Sequence, residues 1–374
     1  MHRPRLPGTD EPHYDPPDDG LVRSASAWLD RIDPRRLRNH VASLPGPRNR
    51  MHSPQAMAEI DALLLDAWRA AGWRTGRQRL RLRNLHARLD YPAESTGGAH
   101  PVHVYPQLDG TNLVAIAEGE TDDAIVVVAH HDTVRDSPGA DDNGAGLAAL
   151  LELSSLFEGR RFRRTVILAA PDLEEIGLIG SRHLVRWLRT RYRVRAAVVY
   201  DPIGYMNSAP GSQLIPAGID RLYPGQVSRL AERGNAGDTV VALYRRVSVQ
   251  LVTEWARCLA ATIGPERILL LRDPLDLPLI GPALIAVPVA RNFSRSDHVR
   301  FWQAGLPAIQ ITNTANFRNP NYHRATDTPE TLDYATLAGI VAATALLVER
   351  LADGTIDPTL PRLDAQFALL DDPA

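Results

Sequence analysis

The chain has 374 residues, 44% of them hydrophobic and 23% charged, and a formal net charge of −2. That is the composition of a globular protein long enough for one large domain or two ordinary ones, without the positive charge that draws a protein to nucleic acid or an anionic membrane. All 42 strongly basic residues are arginine, which removes a lysine Schiff base or a P-loop lysine; the one cysteine, Cys258, removes an internal disulfide and a cysteine-held zinc site.

Residues 1–20 are rich in proline and aspartate and carry no apolar signal segment, so they read as a disordered or loosely attached arm. The segment 53–73 has the pattern of an amphipathic helix opening at Ser-Pro, and RQRLRLR (77–83) that of a half-buried strand with a solvated arginine face. An alternation then begins: strand 124–131, helix 143–157, strand 165–172, helix 177–190 and strand 196–201. Continuous apolar strands separated by helices predict an α/β three-layer sandwich, with a mostly parallel, doubly wound sheet between helices. From Tyr205 to about 246 the chain reads as loop, followed by a helix (247–263), strands at 268–272 and 307–314, and a closing helix at 328–352. The expected organisation is one catalytic domain over 21–352 and a tail at 353–374. No stretch approaches the roughly 20 apolar residues of a membrane span, so the expectation is a cytoplasmic protein with no nucleic-acid or membrane partner.

The chemistry-bearing residues collect at strand ends. His130 and Asp132 follow the first strand of the alternation, Glu174 and Glu175 the second, and Asp201 the third, while Asp141 stands at the mouth of a helix. In open α/β sheets ligands bind beyond the carboxyl ends of strands. Each residue has an ordinary structural reading: Asp141, Asp142 or Asn143 as a helix cap, the glutamates as partners of a helix dipole, Asp201 as a turn residue. Together they deliver imidazole and carboxylates, without thiolate, to one edge, a donor set suited to catalytic zinc. A carboxylate shared by two ions and a neighbouring non-ligand acid are the parts of a water-activating hydrolase, and adjacent glutamates can divide ligation from proton transfer.

His130-x-Asp132, PGADDNGAG (138–146), LEEIGLIGS (173–181), YDPIGYMNS (200–208), RSDHVRFWQAGLPA (295–308) and NYHRATDTPETLD (321–333) resemble, in order, the dizinc aminopeptidases of metallopeptidase family 28. The resemblance implies two zinc ions, with His130 and Asp201 on one, Glu175 and His323 on the other, and Asp141 bridging. It implies Glu174 as general base, Asp132 as the acid that orients the histidine ligand, and Tyr322 as an oxyanion-stabilising hydroxyl. It also implies a cis peptide bond between Asp141 and Asp142. His131, where an aromatic residue or leucine is common, is not counted as a ligand. The expected function is zinc-dependent hydrolysis of a peptide or small amide by an aminopeptidase. A carboxypeptidase or N-acyl amino acid deacylase on the same site is the alternative, ahead of a glutaminyl cyclase or a metal-free binding domain. Specificity is expected in the region 205–293.

Overall fold

The structure is a computed structural model and describes residues 9–88, 102–277 and 281–356. Its centre is one eight-stranded sheet in the order β1-β2-β4-β3-β5-β8-β6-β7. In chain order the strands are β1 (Arg74–Arg88), β2 (Val102–Ala117), β3 (Thr121–Val128), β4 (Arg164–Ala170), β5 (Arg193–Tyr200), β6 (Val240–Tyr244), β7 (Ile268–Arg272) and β8 (Ala308–Thr312). The middle strands β4, β3, β5 and β8 run parallel, as the apolar runs in the sequence require; β1 and β2 are antiparallel additions on one side. On the other side β6 is antiparallel to β8 and carries β7 parallel to itself, so the sheet is mixed.

Helices cover both faces. One layer holds α1 (Asp19–Leu29), α2 (Pro34–Ser43), α3 (Pro54–Ala70), α4 (Gly146–Leu156), α8 (Val249–Ile263) and α10 (Tyr334–Ala352), whose apolar side chains meet Ile125, Val127, Leu168 and Val198 of the sheet. The other holds α5 (Ile179–Arg189), α6 (Ile219–Leu222), α7 (Pro224–Glu232) and α9 (His298–Gln303), packed on the opposite ranks Val126, Val128, Ala197 and Val199. The alternation of Val126 and Val127 between two cores is the period-two rule of a strand buried on both faces. Among the described residues one helix, α10, has the length and apolarity to cross a membrane, but most of it is buried inside the protein as a core helix.

Three segments depart from the sequence reading. β2 is invisible to apolar alternation because Pro106, Asp109 and Gly110 interrupt it; before Leu113 it pairs only with β1, so an interrupted ladder is tolerated there. β6 lies inside the stretch read as loop; its five residues are all buried, too short a run to show a period. The arm read as loose is anchored from Thr9 on, since Gln226 donates to the Thr9 carbonyl and Glu11 accepts from the Leu270 backbone and pairs with Arg229. Residues 1–8 and 357–374, parts of the expected arm and tail, lie outside the described residues.

Candidate metal centre

Because β3, β4, β5 and β8 are parallel neighbours, the loops leaving their carboxyl ends share one edge of the sheet. Those loops bring His130, Glu174 and Glu175, Asp201 and His323 together, and the turn before α4 adds Asp142. Two triads share a carboxylate: His130, Asp142 and Asp201 on one side, Asp142, Glu175 and His323 on the other. His130 Nε2 stands 3.1 Å from Asp142 Oδ1 and 3.8 Å from Asp201 Oδ1. His323 Nε2 stands 3.1 Å from Asp142 Oδ2 and 3.3 Å from a Glu175 oxygen.

The acid between the two imidazoles is therefore Asp142, where Asp141 was expected. Asp141 has no lone pair to spare: Oδ1 accepts from the backbone N–H of Gly204 and Tyr205, and Oδ2 from the carboxamides of Asn313 and Asn319. Four donors fix it as a structural tie between the turn and the loops after β5 and β8. The backbone of both residues is held by Asp327, whose carboxylate accepts from the Asp141 and Asp142 N–H groups. The non-proline cis peptide bond is likewise one position later than expected, between Asp142 and Asn143.

Asp132 does more than orient an imidazole. His130 Nδ1 donates to the Asp132 backbone carbonyl at 3.0 Å, while the carboxylate lies 3.6 Å from the same nitrogen. That fixes the ring's orientation, with Nε2 as the nitrogen that faces the cluster. The carboxylate accepts instead from the Glu174 and Glu175 N–H groups, at 3.2 and 3.3 Å, and so sets the loop that carries both glutamates. Beneath that loop Arg50 bridges Asp61 and Asp172, and His131 donates from Nδ1 to the Pro171 carbonyl with Nε2 3.2 Å from Asp61, engaged away from the cluster.

Crowded acids and burial set the charge states. Glu174 is buried, and desolvation, with Asp201 and Glu175 adding repulsion against the pull of His130, holds its carboxyl well above the usual range. Burial opposes the charged form of both histidines, yet Glu174 raises His130 well above its ordinary value, and Glu175 and Asp142 push His323 up to about 10. Asp142 is drawn down, in spite of burial, by the two imidazoles. Tyr322 stacks on His323 with ring centroids 3.8 Å apart; burial raises its hydroxyl, keeping the proton available, and Arg295 Nη2 lies 3.4 Å from its oxygen.

His130 Nε2, Asp142 Oδ1, Glu175 Oε1 and His323 Nε2 are buried with no hydrogen-bond partner among the described residues. Buried polar atoms are almost always satisfied, and four orphans converging on one space are the signature of donors waiting for a cation. Atoms bound at about 2.0–2.1 Å to one tetrahedral zinc stand roughly 3.3 Å apart, close to the separations seen. The residues present fit two such ions. Sequence reasoning missed Asp142 as the shared acid and Asp297 altogether. Asp297 lies in the quoted RSDHVRF motif, buried with both oxygens unpaired among the described residues, and burial pushes its carboxyl up to about 7.

A model of peptidase family M28 matches residues 112–239 and 282–348, more than half of the chain and all of the loops above. The chain belongs to peptidase family M28. This M28 chain is 29% identical to YfbL of Escherichia coli strain K12 over 275 residues, 69% of this chain and 78% of that protein. It is 35% identical over 79 residues to the aminopeptidase YwaD of Bacillus subtilis, a match spanning 21% of this chain and 17% of that protein. In structure it resembles a zinc aminopeptidase from Bacillus subtilis, with a TM-score of 0.61 at 15% identity over 86% of this chain and 95% of the other. It also resembles a glutaminyl cyclase of Fimbriiglobus ruber, with a TM-score of 0.53 at 17% identity over 93% of this chain and 99% of the other. At such identities the likeness is one of fold, and one fold carries both reactions.

Proposed function

We propose that this chain is an aminopeptidase that cleaves the first peptide bond of its substrate with two zinc ions. His130 and Asp201 hold one ion, Glu175 and His323 the other, and Asp142 both. The class, a zinc metallopeptidase, follows from membership of the family and agrees with relatives named aminopeptidase and zinc metalloprotease. The observation that carries the two-ion reading is the pair of triads sharing Asp142, four of whose buried atoms have no hydrogen-bond partner among the described residues.

Bound zinc would polarise the scissile carbonyl and make the attacking water acidic near neutral pH. Glu174, buried beside both triads with no side-chain partner among the described residues, accepts the proton of that water and returns it to the departing amine. Its raised affinity for protons suits the second half of that exchange. The N–H groups of Glu174 and Glu175, pinned by Asp132, keep the two glutamates in separate roles. Tyr322, held by Arg295 and its stack on His323, presents a protonated hydroxyl where the carbonyl oxygen gains charge.

A carboxypeptidase needs a cation for the substrate's terminal carboxylate. The cationic side chain lining the adjoining pocket is Arg295, which already donates to Asn316 and Tyr322. An aminopeptidase takes a free amine instead. The test is hydrolysis of alanyl and leucyl p-nitroanilides by zinc-loaded protein, beside their N-acetylated counterparts and carboxyl-free and carboxyl-bearing dipeptides. Cleavage confined to free-amine substrates is expected; cleavage confined to N-blocked ones, at the acetyl amide with release of acetate, would make it a deacylase.

A further inference from the structure

Beside the metal centre a cleft of about 940 Å³, its open mouth included, runs away from Asp201 and Tyr322 across the sheet. Its floor follows from strand register. Thr312 of β8 pairs with Val241 of β6, which pairs with Leu269 of β7; Gln310, Leu243 and Leu271 form the next rank. All six line the cleft. With neighbouring strands about 4.8 Å apart, these ranks span roughly 10 Å from β8 to β7, and about 14 Å counted from Asp201 at the end of β5.

Polarity falls along that path. Gln310 and Thr312 stand at the inner end, next to Asp201; the outer floor is wholly aliphatic, and Ile219, Val227, Leu230 and Phe293 close over it. Several polar groups along the floor and wall are already engaged. Gln310 donates to the Asp201 carbonyl, Thr312 accepts from Thr314, and Gln213 is occupied by Thr314, Phe317 and Arg318. Gln226, at the far side, donates to the carbonyls of Thr9 and Leu270. The outer floor, being wholly aliphatic, favours an apolar ligand.

Length then decides its kind. With C–C bonds of about 1.5 Å an extended alkyl chain advances ~1.3 Å per carbon, so a leucine side chain reaches about 4 Å and a phenylalanine ring about 6 Å. Neither reaches across a floor of roughly 10–14 Å to its aliphatic outer end. We infer that the site accepts substrates with a long unbranched apolar chain, of about eight to ten carbons, on the carbonyl side of the scissile amide. This rests on the metal-centred amide hydrolysis proposed above. The same chemistry has two sources, the side chain of an N-terminal amino acid and the tail of a fatty acyl amide, and both would lie in the cleft alike.

Two p-nitroanilide series separate them: 2-aminoalkanoyl compounds and plain alkanoyl compounds, each from three to fourteen carbons, with zinc-loaded protein. In one of the two, kcat/KM should climb by up to about fourfold per methylene to eight or more carbons and then level or fall. The series that climbs names the source. Val241→Phe, placed midway along the floor, should lower the ratio of ten-carbon to four-carbon kcat/KM at least tenfold, with thermal unfolding confirming the fold. An optimum at or below the length of leucine in both series, with no gain beyond it, would overturn the inference while leaving hydrolysis standing. Calorimetric binding of n-alkanoic acids needs no turnover. Were every substrate inert, the hydrolytic reading would fail, and affinity that rises with chain length to about eight carbons, or stays flat, would still decide the cleft.

Discussion

Two adjacent aspartates show how single residues divide structure from chemistry here. Asp141 spends both oxygens on Gly204, Tyr205, Asn313 and Asn319, while Asp142 keeps its own between two imidazoles. Asp142→Asn should therefore cost most of the bound zinc, measured by elemental analysis after dialysis, whereas Asp141→Asn should lower the melting temperature before it lowers metal content. Loss of zinc in the Asp141 variant alone would restore the expectation drawn from the motif. Glu174→Gln should keep both ions and lose kcat by about 10²–10⁴-fold, with KM changed far less; near-normal turnover would remove it as the proton carrier. The run of acids and its position at strand ends were legible in the sequence. Which of two neighbouring aspartates faces inward was not, because that is settled by distant donors, Asn313 and Asn319, and by Asp327 beneath the turn.

Elements matter through the edges they align. The strands that carry the site, β3, β4, β5 and β8, are continuous apolar runs and were readable as such; β2 and β6, which flank them, were not, one being broken by proline and glycine and the other too short to show a period. The start of α5 is wedged against the acidic loop: a Cβ on Gly180 would lie 2.0 Å from the Asp172 carbonyl oxygen and 2.4 Å from Asn112 Oδ1. Backbone cannot yield cheaply, so Gly180→Ala should destabilise the protein by about 1–3 kcal/mol in denaturant unfolding and also disturb Glu174 and Glu175, lowering kcat. Unchanged stability would mean that α5 can slide away from the loop at no cost.

At the scale of the whole molecule, the site concentrates like charge that the metal-free fold offsets with protons. His323 has its pKa pushed up to about 10 and His130 is raised well above the ordinary value, so both imidazoles carry protons at pH 7 when no metal is bound. The sign follows from linkage: a pKa raised on folding stabilises fully below the unfolded value near 6.5, and that stabilisation fades as pH rises toward about 10. Zinc needs the unprotonated rings, so its binding must expel those protons and weaken as pH falls. Calorimetry in buffers of different ionisation enthalpy should record about two protons released per pair of ions at pH 7; no release would contradict the assignment of the histidines. The anchored N-terminal segment, which meets β7 and α7 at Leu270, Gln226 and Arg229, belongs to this scale too, since hydrogen bonds to partners more than two hundred residues away leave no local pattern to read.

The central claim, two ions shared through Asp142, is tested most directly by zinc titration of chelator-stripped protein with leucyl p-nitroanilide turnover followed in parallel. Binding should saturate at two zinc ions per chain, with full activity only when both are present. Saturation at one ion with full activity would contradict the claim.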